Sequence, residues 1–247
     1  MEPSNEARVT ISALQQMKRD GRKIVCVVAW DYQIALIAER AGVDMVSVGD
    51  SVGVNLWGQD TESELTMDEF LVACKAVRRG TKRALLSCDV PLGPVAGGTA
   101  AAVDAARRLV DEGGADMVKV LGNESVVRAI VRAGIAVCAE FHGETLDEAQ
   151  LADEAKRLQD AGASLLNFRH SGPVAGPVVV RAVSIPVIGG LGGGPWLDGR
   201  VRMAHAAIGY AASAIGKAGG YANVAGTTLD ALVALAADVR AARQIKH

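Results

Sequence analysis

Two textures alternate along this chain, and that alternation constrains the fold more than any single motif. Short apolar, largely β-branched runs are each followed by a longer amphipathic run. The strand candidates are residues 23–30, 43–49, 84–88, 115–121, 135–140, 163–168, 185–189 and, more weakly, 204–208. Helix candidates fall between them at 32–41, 67–79, 100–112, 125–133, 146–161 and 174–182. Most strand candidates are continuous apolar runs, as expected of a parallel sheet buried on both faces. About eight strand-then-helix units in 247 residues fit a closed α/β barrel, the (β/α)8 or TIM fold, as a single domain over 1–247. Residues 11–19 supply one more helix, expected to cap the barrel bottom.

Local signals support this reading. Capping boxes, in which a side-chain oxygen and a residue three positions on satisfy free backbone N–H groups, are expected at Thr66–Glu69 and Thr145–Glu148. Gly42, Gly80, Gly134 and Gly162 stand where helices should end in the left-handed conformation. A doubly wound open sheet is the competing fold, but it carries a glycine fingerprint after its first strand. Here that position reads Ala29-Trp30-Asp31-Tyr32. The late glycines (Gly189, Gly190, Gly192, Gly193, Gly194) do not make G-x-G-x-x-G, because Pro195 and Leu197 hold the third-glycine positions.

Composition narrows the function. Half the residues are apolar, but Phe, Trp and Tyr occur three times each, so Ala, Val, Leu and Ile must build the core. The formal net charge is −2, which argues against a nucleic-acid footprint or a polybasic membrane surface. Cys26, Cys74, Cys88 and Cys138 form no C-x-x-C and read as small core residues of a reducing compartment. The acidic N-terminus lacks the order of a signal peptide, and no apolar run is long enough to span a bilayer. A cytoplasmic enzyme for a small molecule is the expectation.

In a (β/α)8 barrel the chemistry sits where strands end. Asp31, Asp50 and Asp89 end the first three strands, Lys119 lies in the fourth, Glu140 ends the fifth with His142 just beyond, and Asn167-Phe168-Arg169-His170 ends the sixth. Carboxylates converging on a mouth repel unless protonated or bridged by a cation. Any one Asp can instead cap the following helix. Asp50 and Asp89 together point to a hard divalent ion such as Mg2+, which keeps waters and then takes substrate oxygens. Lys119 can be a buried ion-pair partner, a Schiff-base nucleophile or an anchor for an anionic substrate; the anchor suits a neighbouring metal best. Arg169 and His170 are either solvated loop residues or a carboxylate fork beside an acid–base group. His142, His170, His205 and His247 show no metal-ligand spacing, and His205 reads as a core histidine.

Several stretches resemble ketopantoate hydroxymethyltransferase, a family of the phosphoenolpyruvate mutase and isocitrate lyase superfamily. The strongest is Val48-Gly49-Asp50-Ser51-Val52-Gly53, followed by Gly58-Gln59-Asp60-Thr61 and Leu65-Thr66-Met67-Asp68. Cys88-Asp89-Val90-Pro91, Met117-Val118-Lys119 and Ile185-Pro186-Val187-Ile188-Gly189 extend the likeness over most of the chain. The resemblance implies an oligomeric (β/α)8 enzyme with a divalent metal. It would enolise a 2-oxo acid and add a hydroxymethyl group from methylenetetrahydrofolate. It implies Asp50 and Asp89 as metal ligands and Ser51 and Lys119 on the substrate's carboxylate or carbonyl end.

The departures are equally specific. The family's glutamate beyond the lysine is Leu121 here, its histidine at the end of strand five is Glu140, and its catalytic base at the end of strand six is Arg169. The long lid after strand five is absent. Arg cannot accept a proton near neutral pH. The metal and 2-oxo-acid half is therefore retained while the proton-transfer half is rebuilt. The expected function is a divergent enzyme that makes or breaks a C–C bond on a 2-oxo or 2-hydroxy acid through a metal-stabilised enolate. Lys119, Glu140, Arg169 and His170 are its candidate catalytic residues; Ser51, Asp89, Lys119 and Arg169 bind substrate. The alternatives are ordinary ketopantoate synthesis with a relocated base and a non-catalytic binding barrel.

Overall fold

The computed structural model describes residues 7–143, 147–190, 194–210 and 220–244. Eight parallel strands close into a barrel in sequence order. They are β1 (Ile24–Val28), β2 (Met45–Val48), β3 (Leu85–Asp89), β4 (Met117–Leu121), β5 (Val137–His142), β6 (Leu165–Arg169), β7 (Val187–Gly189) and β8 (Gly199–Met203). The expected closed barrel is present, and seven strands fall on their expected runs.

Helix α1 (Ile11–Arg19) precedes β1 and buries Leu14 and Met17. These two join Ile24, Cys26, Met45, Leu85, Met117, Cys138, Leu165 and Ile188 in one apolar cluster, the floor of the barrel. The expected bottom cap is thus in place, held by burial of its apolar stripe. The outer helices are α2 (Tyr32–Arg40), α3 (Met67–Gly80), the short α4 (Leu92–Ala96), α5 (Thr99–Asp111), α6 (Glu124–Arg132), α7 (Glu148–Asp160) and α8 (Ala175–Ala182). A π-helical turn (Gly53–Trp57) and a 3-10 turn (Glu62–Glu64) lie between β2 and α3.

The strand bottoms share one device. The carboxylates of Asp44, Asp116 and Asp198 accept the backbone N–H groups of Val25, Leu86 and Val187, each at 2.9 Å. Lys18 ties α1 to the same end, donating to the carbonyls of Val180 and Ile185 at 2.9 Å and facing Asp198 at 3.1 Å. All four cysteines are buried thiols. Among the described residues no helix is long and apolar enough to cross a membrane.

Two local expectations are corrected. Residues 204–208 are not a strand: Ala204–Ala207 form helix α9, because an Ala-rich run favours helix. The eighth strand lies just before it, where exposed Arg200 and Arg202 break the apolar texture. Gly80 is not a left-handed terminator. It sits inside α3, where a Cβ would come within 2.8 Å of the Ala35 Cβ and the Tyr32 carbonyl, so its smallness lets α3 pack on α2. Gly42, Gly134 and Gly162 do take positive φ. Thr145 lies outside the described residues; α7 is capped by Asp147, whose carboxylate accepts the Gln150 N–H at 2.8 Å. The Thr66 capping box forms as expected.

The chain divides into two compact units, Met1–Arg202 and Met203–His247. The second contains α9 and α10 (Val224–Arg240), a helix the strand–helix alternation did not reveal. Within it His205 is buried, and its ring lies 5.9 Å from that of Tyr210.

Barrel closure generates a stability prediction. At the β8–β1 seam the Ile24 N–H donates to the Asp198 carbonyl at 2.9 Å, and a Cβ on Gly199 would sit 2.3 Å from the Ile24 carbonyl oxygen. Gly199→Ala must push the seam apart and should cost about 1–3 kcal/mol, the usual range for overpacking. Urea unfolding monitored by circular dichroism measures it.

Candidate functional site

Strand register builds the site. Side chains two residues apart on a strand share a face. Met117 and Cys138 lie in the floor cluster, so Lys119 and Glu140, two residues on, stand one layer higher. The same step from Leu85 passes Ser87 to Asp89, and from Leu165 it passes Asn167 to Arg169. Pairing puts Asp89 beside Lys119, Glu140 beside Asn167 and His142 beside Arg169. An apolar floor thus carries a polar layer at the C-terminal end of the barrel.

Lys119 is the centre of that layer. Its ammonium lies 2.8 Å from Asp89 Oδ2 and 2.9 Å from Glu140 Oε2. Glu140 also accepts from Asn167 Nδ2 at 2.7 Å and from Arg169 at 3.0 Å. His142 Nε2 stands 3.8 Å from Glu140 Oε1, close enough for charge attraction and too long for a hydrogen bond. Ser47, Ser87, Asp89, Glu140 and Asn167 are all buried.

Burial and charge set the protonation states. Burial works against the Lys119 charge, but Asp89 and then Glu140 outweigh it and hold the ammonium well above its ordinary range. Burial pushes the Asp89 carboxyl up to about 7; Lys119 opposes the rise, and Asp50 and Glu140 add to it. For Glu140 the balance is reversed: burial raises it, and Lys119 and then Arg169 pull it below the usual carboxylate range. Lys119 and Glu140 therefore form the fixed ion pair, and Asp89 is the carboxylate whose charge is least compensated.

Three buried polar atoms in this layer have no hydrogen-bond partner: Asp89 Oδ1, Asn167 Oδ1 and Arg169 Nε. Such atoms cost free energy unless something fills them. Asp50 follows β2, and its charge raises both Asp89 and Glu62. A Cβ on Gly49 would lie 3.1 Å from Ser51 Oγ and 3.6 Å from Asp89 Oδ2, so the bare backbone there leaves a cradle between Ser51 and Asp89. Among the described residues no three His, Cys, Asp or Glu side chains converge on one ion position. An ion held by Asp50 and Asp89 would have to complete its shell with water and substrate oxygens, as Mg2+ does.

The structure thus brings Asp89, Lys119, Glu140 and Arg169 together and sets Asp50 and Ser51 beside them. Asp31 does not join them: its carboxylate accepts the Ile34 N–H at 2.8 Å and caps α2. Leu121, 43% exposed, stands next to Glu140 as an apolar wall. His170 follows β6 in the left-handed conformation with φ 55°, and its ring lies 6.4 Å from that of His142. Asn167 and Glu62 were given no role from sequence. The period-two repeat of polar residues within β6 marks Asn167. Glu62 has no such mark, because it lies in the 3-10 turn outside the strands: burial and then Asp50 raise its carboxyl, and Arg169, Lys119 and Glu140 act on it electrostatically.

A cation clasped by acids above the apolar floor of a (β/α)8 barrel stands at the C-terminal ends of the strands, where enzymes of this fold carry their active sites. The chain belongs to the ketopantoate hydroxymethyltransferase family, whose model matches residues 8–244. It is 35% identical to the 3-methyl-2-oxobutanoate hydroxymethyltransferase of Geobacillus kaustophilus, over 91% of this chain and 87% of that protein. The fold is shared with 2,3-dimethylmalate lyase, a PEP mutase/isocitrate lyase superfamily member (TM-score 0.64, 11% identity, 93% of this chain and 87% of that one). It is also shared with a phosphonopyruvate hydrolase solved with oxalate and Mg2+ (TM-score 0.63, 15% identity, 93% and 86%).

Removing Lys119 isolates two buried carboxylates. Lys119→Met should cost about 3–5 kcal/mol at pH 8, the range for breaking one side of a buried pair. Asp89 holds its proton more tightly folded than unfolded, so acidification favours the fold, and loss of Lys119 strengthens that preference. The deficit should shrink as pH falls toward about 7 and level off below it, as read from urea midpoints between about pH 9 and pH 6.

Proposed function

We propose that this chain is a divergent member of its family that makes or breaks a C–C bond beside the carbonyl of a 2-oxo acid, through the enolate. The observation that carries this reading is the set of unsatisfied buried atoms, Asp89 Oδ1, Asn167 Oδ1 and Arg169 Nε, grouped around a compensated Lys119–Glu140 pair. Two acceptors and one cationic donor suit a ligand that brings both a cation and an anion, as a metal-chelated oxyacid does.

Asp50 and Asp89 would hold the divalent ion, Mg2+ being the hard cation that suits two carboxylates and open positions. Bound there, it would supply Lewis-acid polarisation of the substrate oxygens. The partly ionised state of Asp89, poised near 7, fits a carboxylate that a cation would complete. Ser51 and Lys119 orient the carboxylate or carbonyl end. Lys119 stays charged, so it serves as an electrostatic anchor and not as a Schiff-base amine. Arg169, with one nitrogen on Glu140 and Nε unsatisfied, is placed to clamp a second carboxylate. Glu140, already ionised and accepting from Lys119, Asn167 and Arg169, holds those three donors in place.

One specific finding favours a second reading, ordinary ketopantoate synthesis from 2-oxoisovalerate and methylenetetrahydrofolate. The family match spans nearly the whole chain, and the Geobacillus relative carries that activity in its name.

Proton exchange at C3 of 2-oxo acids in D2O, followed by NMR with and without Mg2+, tests enolisation. Exchange should require Mg2+, and absence of exchange with every 2-oxo acid sinks the proposal. Product formation with methylenetetrahydrofolate as donor would establish the second reading instead. Calorimetric titration with Mg2+ should give binding to the wild type and none to Asp89→Ala; no binding to either points to a non-catalytic barrel. Arg169→Met should weaken dicarboxylic 2-oxo acids about 10–100-fold, matching about 1.5–3 kcal/mol for a charged hydrogen bond, and leave monocarboxylic ones little changed. Inhibition constants against both series give the comparison.

A further inference from the structure

Enolisation needs a group that takes the C3 proton, and the two inward residues at the family's acid–base positions cannot serve. Arg169 is a permanent cation. Glu140 is spent on Lys119, Asn167 and Arg169. We propose that His142, for which the family resemblance supplies no role, is the proton-transfer residue, with Glu140 as its counter-charge. This assignment rests on the enolising reading above.

The placement follows from the strand. His142 is two residues beyond Glu140 on β5, so it stands directly above it on the inward face and pairs with Arg169 across the sheet. Its Nε2 lies 3.8 Å from Glu140 Oε1. The Glu140 side chain is 8% exposed and that of His142 is 36%, so the imidazole occupies the step between the sealed polar layer and solvent. A proton acceptor must reach both the substrate carbon and water, and His142 has that access.

The end of β5 is locked where this requires it. The Gly143 N–H donates to the Arg169 carbonyl at 3.0 Å, and a Cβ there would come within 2.7 Å of the His170 carbonyl. His170 holds φ 55°, a conformation that costs a non-glycine residue free energy and collects at functional sites. Its ring lies nearly parallel to that of His142, with 18° between planes and 6.4 Å between centroids. The charged and titratable groups around His142 are Glu140 on its own strand, Arg169 beside it at the end of β6, His170 just beyond β6, and Lys119 on β4 behind Glu140; Glu62 of the 3-10 turn acts on Arg169, Lys119 and Glu140.

The step balances without another reactant. The C3–H bond breaks and its electron pair forms the C2–C3 double bond. The carbonyl π pair moves to the C2 oxygen, and the proton passes to a lone-pair nitrogen of neutral His142. Glu140 stabilises the imidazolium, which returns a proton to C3 or to solvent.

C3 exchange in D2O with Mg2+, measured against pH for wild type, His142→Gln, His142→Ala, His170→Gln and Glu62→Gln, tests the assignment. His142→Gln should lose about 10²–10⁴-fold in exchange rate, the range for general acid–base catalysis, together with the acidic limb of the pH profile. Oxalate binding by calorimetry should survive, and added imidazole should restore exchange to His142→Ala. Near-wild-type exchange in His142→Gln overturns the assignment. So does loss of the acidic limb in Glu62→Gln or His170→Gln while His142→Gln keeps it. If the wild type exchanges no 2-oxo acid, the enolising reading falls first and this assignment falls with it.

Discussion

The ammonium of Lys119 holds the functional end of this barrel together. It lies within 3 Å of two buried carboxylates on neighbouring strands, Asp89 on β3 and Glu140 on β5. Without it the polar layer would carry uncompensated negative charge over an apolar floor, a costly arrangement. With it Glu140 stays ionised and can accept from Asn167 and Arg169, which ties β4, β5 and β6 into one rigid rim. Preorganised charge of this kind is what an enzyme needs where an oxyanion develops, because the groups need not reorient during reaction.

That rim also explains how the family pattern could change without loss of the site. A glutamate base at the end of β6 would have to face Glu140 across one strand pair, two acids side by side. Arginine in its place gives Glu140 a second cation and carries a buried Nε without a hydrogen-bond partner. The strand repeat leaves His142 just above the ion-paired layer, two residues beyond Glu140 and beside Arg169.

Much of the fold was legible because periodicity survives in the sequence. Continuous apolar strands, glycine-terminated helices and capping residues each follow from backbone chemistry within a few positions. The misreadings have local causes. Arg200 and Arg202 hid β8 because their side chains are solvated, and an Ala-rich segment read as a strand became α9. Gly80 looked like a terminator, and only the packed α2–α3 pair shows that its missing Cβ is what lets the helices meet.

For the site, sequence determined which residue types stand at the strand ends, and so the presence of Asp50, Asp89, Lys119, Glu140 and Arg169 at one mouth. It could not say which of these neutralise one another. That depends on register between strands far apart in the chain, which puts Lys119 level with Asp89 and Asn167 level with Glu140. Only the tertiary structure decided that Asp31 caps a helix, that Glu140 is paired with Lys119 and Arg169, and that the charges of Asp50 and Arg169 act on Glu62. Alternation along a strand is a property of the local backbone; charge compensation is a property of distances and burial, which exist only once the barrel has closed.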